Sequence, residues 1–494
     1  MFSRLTQAVR SRPLCLSALV ALMVNLPALL TRFAVLDDYR KVLEFQRGFA
    51  SWAPFNLSSG VAHTNVLTGR VIPAFIGHFV WPWVTSIQML WLPRILAFSI
   101  ILITSLFLAN WTARLLQFSL FQRWVFAPVP VLLLLLPGST AVITFASLST
   151  ALIALPMAVA SGILLSRDEV TKRHLLGSLA LSFGAAFSYQ HFTFMLGLPL
   201  ALWAAEQYCR RSFLPIRRLV TGLMFGVVAL LANYAYLLLM SPDAVERVTG
   251  VGLFDRLTNL FASYLPKSLH LWLERSPQWF ALSLALVIGV GAIGVMKMRQ
   301  SGVYLLAALF SWLCVSLPTI AADGDSSYRL VFPAQFAIFF GLTVAFTYAH
   351  QAPAPGKWKP RLFGASSATA LLLVTLVILP SSHETLNKRI ALANSSDYRH
   401  LRCQLRNIES PSAIQTILLR RVPVSLTGDE AVYSEIGLRA IHVDWVLIDL
   451  YNILLVENPE LHELRHVSVL VSDDSSIDTD NSSMTLIDLA KPCT

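Results

Sequence analysis

LCLSALVALMVNLPALLTRFAVLDDYR, residues 14–40, decides what kind of molecule this is. From Leu14 to Phe33 the stretch is almost wholly apolar, and as a helix it is long enough to cross the hydrocarbon core of a bilayer. Arg4, Arg10 and Arg12 precede it, which places the N-terminus in the cytoplasm. Asp37 and Asp38 therefore emerge together on the far side. A helix ends in partial negative charge, so an acidic pair beyond its C-terminus is unfavourable there and calls for a use. The plain alternative is a solvated loop start. Against it stand Arg40 two residues on and Gly69-Arg70 ahead of the next span.

Working outward, the composition fits a chain that crosses the membrane many times. Of 494 residues, 55% are hydrophobic and 13% charged, and the mean hydropathy is +0.62. This excludes one large soluble core. The first span is too long, and too well followed by others, to be a cleaved leader. The net charge of +10 reads as topology, because Lys and Arg concentrate in alternate loops. No motif or basic, aromatic-interleaved groove points to nucleic acid.

Eleven spans are expected. Beyond Leu14–Phe33 they are Ser86–Ala109, Trp124–Leu136, Val142–Leu165, Leu175–Tyr189, Phe192–Ala205, Leu219–Met240, Phe280–Met296, Val303–Ile320, Leu330–Tyr348 and Leu362–Leu379. Each loop assigned to the cytoplasm carries at least two Lys or Arg, whereas the tight outer turns near Gly138 and Gln190 carry none. Pro137-Gly138 also permits a re-entrant pair between Trp124 and Ser149. The outer loop Ser241–Gln278 repeats apolar residues at helical spacing (Phe254, Leu257, Leu260, Phe261, Tyr264, Leu265), as an interfacial or packed helix would. Val42, Phe45, Gln46 and Phe49 predict another helix after the acidic pair.

The expected division is a transmembrane domain over residues 1–380 and a small soluble, extracytoplasmic domain over 381–494. Ala413–Leu419, Val467–Val471 and Met484–Leu489 read as strands, giving the tail an α/β character. Cys403 and Cys493 would be the two thiols on the oxidising side, which permits a disulfide without requiring it. No histidine spacing suggests a zinc centre, no cofactor is called for, and nothing indicates a divalent metal.

Chemistry is then expected at the outer surface. Asp37 or Asp38 is placed to act as general base towards an acceptor hydroxyl. Arg40, Arg70, Arg94 and Arg329 are the guanidiniums placed to hold a phosphate bidentately. For Arg94 the alternative is snorkelling to the interface, and for Arg329 pairing with Asp325. Tyr189, Gln190, His191, Asp325 and Tyr328 are the polar groups able to line a substrate pocket or simply to satisfy their turns.

Asp37-Asp38-Tyr39-Arg40 after the first span, Gly69-Arg70 before the second and Tyr189-Gln190 at a middle turn together resemble the polytopic GT-C glycosyltransferases. Within them, the nearest likeness is to the serotype-converting O-antigen glucosyltransferases of bacteria. The resemblance covers residues 14–380 as topology and only a handful of positions as motif. It implies an inverting transfer of a sugar from a polyprenyl-phosphate donor to a glycan acceptor, at the periplasmic face of the bacterial inner membrane. It assigns Asp37 and Asp38 to acceptor activation, and Arg70 and Arg329 to the carrier phosphate. Such a donor explains the absence of Walker and Rossmann glycine motifs. A lipid-linked glycan flippase, or an O-antigen polymerase or ligase, is the alternative.

Overall fold

The computed structural model describes residues 2–46, 68–240, 252–269, 299–321, 328–348, 379–380, 383–408, 411–421, 440–472, 484–491 and 493. Apolar runs without a polar stripe fold as helices that bury residues all round or meet lipid. The longer helices, most of them apolar but α2 and α11 amphipathic, are α1 (Phe2–Leu30), α2 (Asp37–Gln46), α3 (Val71–Val80), α4 (Trp91–Leu115), α5 (Ala154–Leu165), α6 (Lys172–Ala186), α7 (Gly197–Arg211), α8 (Ile216–Met240), α9 (Arg299–Ala321), α10 (Tyr328–Tyr348), α11 (Ala393–Arg406) and α12 (Asp444–Glu457).

Three stretches are long and apolar enough to cross a membrane: Pro13–Leu30, Ile87–Leu115 and Ile216–Met240. Leu120–Leu135 and Pro137–Thr144 join at a bend of 53° and make a fourth if taken as one broken span. Pro137 and Gly138 make the break, and the Gln335 side chain accepts the Gly138 N–H at 2.8 Å, satisfying a donor that the bend leaves open. The other apolar helices, Val71–Trp83, Ala151–Leu165, Gly302–Pro318 and Arg329–Ala345, are shorter. The described residues thus hold three or four full-length spans rather than the eleven expected. Two of those expected, Phe280–Met296 and Leu362–Leu379, lie outside the described residues except for Leu379. Helix α3 falls inside what reads as an outer loop; at ten residues it is too short to cross.

Hydroxyls join some of the helices. Ser161 of α5 shares hydrogen bonds with Ser178 and Ser182 of α6 at 2.7 and 2.9 Å, the kind of polar contact that holds helices together in an apolar setting. The helix expected near Phe254 is present as Leu253–Asn259, one π-turn and Leu265–Ser268.

The C-terminal segment is α/β. Strands β1 (Thr416–Arg420), β2 (Ser468–Ser472) and β3 (Met484–Asp488) form a parallel sheet in the order β2-β1-β3, with Leu418 opposite both Leu470 and Leu486. All three strands overlap the expected runs. The central strand is apolar on both faces, as a strand covered on both sides must be. Cys403 and Cys493 form a disulfide across this segment.

One hydrophobic core lies among the long helices. A second joins two parts of the chain that the sequence keeps far apart. It packs Tyr39, Val42 and Leu43 of α2 and Trp81, Val84 and Leu90 against Tyr398, Leu401, Val446, Leu447 and Leu450 of the C-terminal segment. The tail is therefore built onto α2.

Candidate active site

After α1 the chain turns at Leu36, a bulky residue at φ 38° in the left-handed region. Asp37 and Asp38 follow as the first turn of α2. The carboxylates thus stand at a helix N-terminus, where the dipole favours them, and not against the C-terminus of α1. The electrostatic anomaly expected from the sequence is absent; the turn at Leu36 removes it.

The two carboxylates face opposite ways. Asp38 is fully buried. It accepts the backbone N–H groups of Ser147 at 2.9 Å and of Ala146 and Val35 at 3.3 Å, and pairs with Arg94 at 3.4 Å. Burial pushes its carboxyl up; Arg94 and these three N–H groups pull it back. Every neighbour is a donor, so the site is made for an acceptor-only group held in place.

Arg94, near the start of α4, is equally enclosed. It donates to the carbonyls of Phe33 at 2.7 Å and Thr144 at 3.2 Å, and its guanidinium lies 3.6 Å over the Phe33 ring. Together Asp38 and Arg94 lock the end of α1, the start of α2 and the bend after Thr144 into one unit.

Asp37 is half-exposed and pairs with Arg329 at 3.5 Å. Arg329 sits in the first turn of α10, where a cation opposes the dipole, so its position is set by what it faces. Its guanidinium also lies 5.6 Å from the Phe145 ring.

Arg70 stands at the N-cap position of α3, its side chain not used in capping, and its guanidinium lies 4.7 Å over the Tyr189 ring. Tyr189 is buried, with the His191 ring 5.5 Å away. The charges of Asp37 and Arg329 act on Arg70, and those of Arg70 and Arg329 act on His191, which marks these groups as one cluster. Burial, then the two arginines, push the His191 imidazole down to about 3, so it is neutral in use. Both His191 ring nitrogens and Nε of Arg70 are buried without a hydrogen-bond partner. A neutral imidazole offers one N–H and one acceptor nitrogen, so with Arg70 Nε the cluster holds two unmet donors, which suits acceptor oxygens.

Lys41 completes the cluster and was missed by the reading of the sequence. It lies one turn along α2 from Asp37, donates to the Ser147 carbonyl at 3.3 Å and feels the charges of Arg70 and Asp37. Burial, then Arg70, push its ammonium down to about 8. The signal was its i,i+4 spacing from Asp37.

Local backbone geometry sets Arg70. Gly69 has φ 74°, and a Cβ there would come within 2.9 Å of the Asn233 side chain. Asn233 donates to the Gly69 carbonyl at 2.8 Å, while Gln190 donates to Asn233 at 2.9 Å and to the Thr68 carbonyl at 3.0 Å. Gln190 thus supports the Gly69 turn behind Arg70. Asn233 was also missed, although a lone amide in the apolar run of α8 is a signal in itself.

Arg40 turns away from the cluster. It pairs with Asp449 at 3.3 Å and lies 4.7 Å over Trp445, both in α12. Tyr328 opens α10 immediately before Arg329. Asp325 lies outside the described residues. The structure therefore gathers Asp37, Arg70, Arg329, Tyr189 and His191, with Lys41, and sets Asp38 and Arg94 in the interior beside them.

Compared with known proteins, the chain matches no family model and no curated sequence. Among the described residues, no three His, Cys, Asp or Glu come together to hold a metal ion. Chemically, three cations with a neutral imidazole suit a phosphate, and one accessible carboxylate beside them suits proton transfer.

Proposed function

We propose that this chain is a membrane glycosyltransferase of the GT-C kind. It would move a sugar, glucose in the nearest resemblance, from a polyprenyl-phosphate carrier to a lipid-linked or surface glycan such as O-antigen. The observation that carries this reading is the half-exposed Asp37 carboxylate, 3.5 Å from Arg329 at the edge of the Arg70, Lys41 and His191 cluster. The finer architecture belongs to the same proposal: eleven spans in a bacterial inner membrane, the N-terminus cytoplasmic and residues 381–494 periplasmic.

The acceptor hydroxyl attacks the anomeric carbon, and Asp37 takes its proton. The bond from that carbon to the phosphate oxygen breaks, and the electron pair leaves with polyprenyl phosphate. Arg70, Arg329 and Lys41 hold the charge that develops on the leaving phosphate. In the ligand-free site Asp37 balances Arg329; an arriving phosphate takes over that guanidinium and leaves Asp37 for the acceptor. Asp38 and Arg94 keep α2 in register and touch no substrate. No cofactor enters.

A flippase is the second reading, because α7 carries a buried carboxylate, Glu206, hydrogen-bonded by Tyr304 and Arg210. Buried acids among apolar helices often mark transport paths.

Membranes containing the chain, given labelled polyprenyl-phosphate sugar and acceptor glycan, decide between them. Transfer that is lost in Asp37→Asn and kept in Glu206→Gln supports the enzyme. Movement of label across the bilayer without a new glycosidic bond supports the flippase.

A further inference from the structure

We propose that Glu457, the last residue of α12, is a positioning residue for the Asp37 site: the C-terminal segment uses it to hold α2 in place. The inference rests on the glycosyltransferase reading for its kinetic consequence, but not for its geometry.

Glu457 joins the ends of two spans. One carboxylate oxygen accepts from Arg32, two residues beyond α1, at 2.5 Å, and from the Tyr398 hydroxyl at 2.7 Å. The other accepts the N–H of Ile87, the first residue of the span Ile87–Leu115, at 2.6 Å. Its side chain is 5% exposed. Arg32 also donates to the Tyr398 hydroxyl at 2.6 Å and lies 4.3 Å over its ring, and Asn458 donates to the same hydroxyl at 3.3 Å.

A carboxylate on the last residue of a helix opposes the dipole of its own helix. The local fold of α12 therefore does not account for Glu457; Arg32 and Ile87 do. Buried this far, the carboxylate is stable only because its oxygens are used and its charge is met.

The segment between Arg32 and Ile87 contains α2. On its inner side α2 is pinned by the Asp38–Arg94 pair. On its outer side it packs Tyr39, Val42 and Leu43 against α12, with Arg40 on Asp449 as a second tie. Glu457 sets the end of α12 against both spans, and so sets the depth at which α12 meets α2. Asp37 and Lys41 ride on that helix. Arg70 and Arg329 do not, since they are held by α3 and α10. A shift of α12 therefore moves the base and one cation relative to the other two.

The test uses the full chain with Cys15, Cys209 and Cys314 changed to Ser. Arg40→Cys with Asp449→Cys then reports the α2–α12 contact through a short bifunctional thiol reagent. Glu457→Gln keeps size and one acceptor but loses the charge. Cross-linking is expected to fall to a minor fraction of that seen with Glu457 intact. In the chain without the added cysteines, Glu457→Gln is expected to lower kcat about tenfold to a hundredfold, the cost of a small misplacement. It should also raise the donor KM, because Lys41 moves with Asp37; a smaller folded fraction alone would leave KM unchanged.

Arg32→Gln is the gentler variant should Glu457→Gln fold poorly. It is expected to show the same pattern, and the double variant to be little worse than either alone. Cross-linking at the parent yield in both variants overturns the proposal. So does cross-linking that is lost while kcat and KM stay unchanged. A parent chain that transfers no sugar overturns the glycosyltransferase reading, and the cross-link still decides whether Glu457 holds α2.

Discussion

Adjacent carboxylates with opposite surroundings predict opposite phenotypes. Asp37→Asn should leave a folded protein and lower transfer by a factor on the order of 10²–10⁴, the usual worth of a general base. Asp38→Asn strands Arg94 in the interior, and loss of one partner from a buried pair costs about 3–5 kcal/mol. Its effect should appear as a lower unfolding midpoint in detergent before any effect on rate is measured. Equal stability of the two variants would refute this division. Lys41 supplies a pH test. Its ammonium is charged below about 8 and neutral above, so donor affinity should weaken as pH rises through about 8. In the unfolded chain it keeps its proton to near its ordinary 10.5, so the unfolded state binds more protons between these values. Stability should therefore gain with pH in that window while binding is lost. Lys41→Met should remove both effects; a donor-affinity profile unchanged by that substitution would exclude Lys41 from the site.

At the scale of elements, the approach of α3 to the site depends on one turn. Gly69→Ala places a Cβ in a left-handed conformation that costs about 1–2 kcal/mol, and it crowds Asn233 as well. Asn233→Ala leaves the Gly69 carbonyl and the Gln190 amide short of a partner. Both variants should raise the donor KM more than they lower kcat, since they disturb Arg70 and leave Asp37 in place. Arg70→Lys should resemble them, keeping charge but losing the planar fork. If isothermal binding of polyprenyl phosphate is unchanged in all three, Arg70 is not a phosphate ligand. The Gly69-Arg70 pair was visible in the sequence as a dipeptide, but its cause was not. Asn233 lies 164 residues away along the chain, beyond the reach of any local pattern.

For the whole molecule, the C-terminal segment stabilises the site from outside and is itself closed by Cys403–Cys493, 90 residues apart. In the chain-entropy picture a loop of that length contributes about 4–5 kcal/mol. Cys403→Ser should therefore lower the unfolding midpoint and, through α12, loosen α2. Maleimide should label neither thiol until reductant is added, and then from the periplasmic side. Labelling of both without reductant would show that there is no bridge in the membrane. Labelling only after the membrane is breached would reverse the proposed topology.

By itself the sequence determined the helical, apolar character of the chain, the presence of a helix after the acidic pair and the three strands of the tail. Hydrophobic periodicity and local propensity act over a few residues, so they can be read in order along the chain. Span number was less legible, because an apolar run such as Val142–Leu165 is broken into shorter helices, of which Ala151–Leu165 is partly buried among neighbours. Only the tertiary structure decided which carboxylate is enclosed, that Arg94 and Arg40 are taken up by Asp38 and Asp449, and that Lys41 joins Arg70 and Arg329. Those outcomes turn on partners 56 residues away for Asp38 and Arg94 and 409 for Arg40 and Asp449. Burial and charge pairing act through space, and separation along the chain carries no record of them.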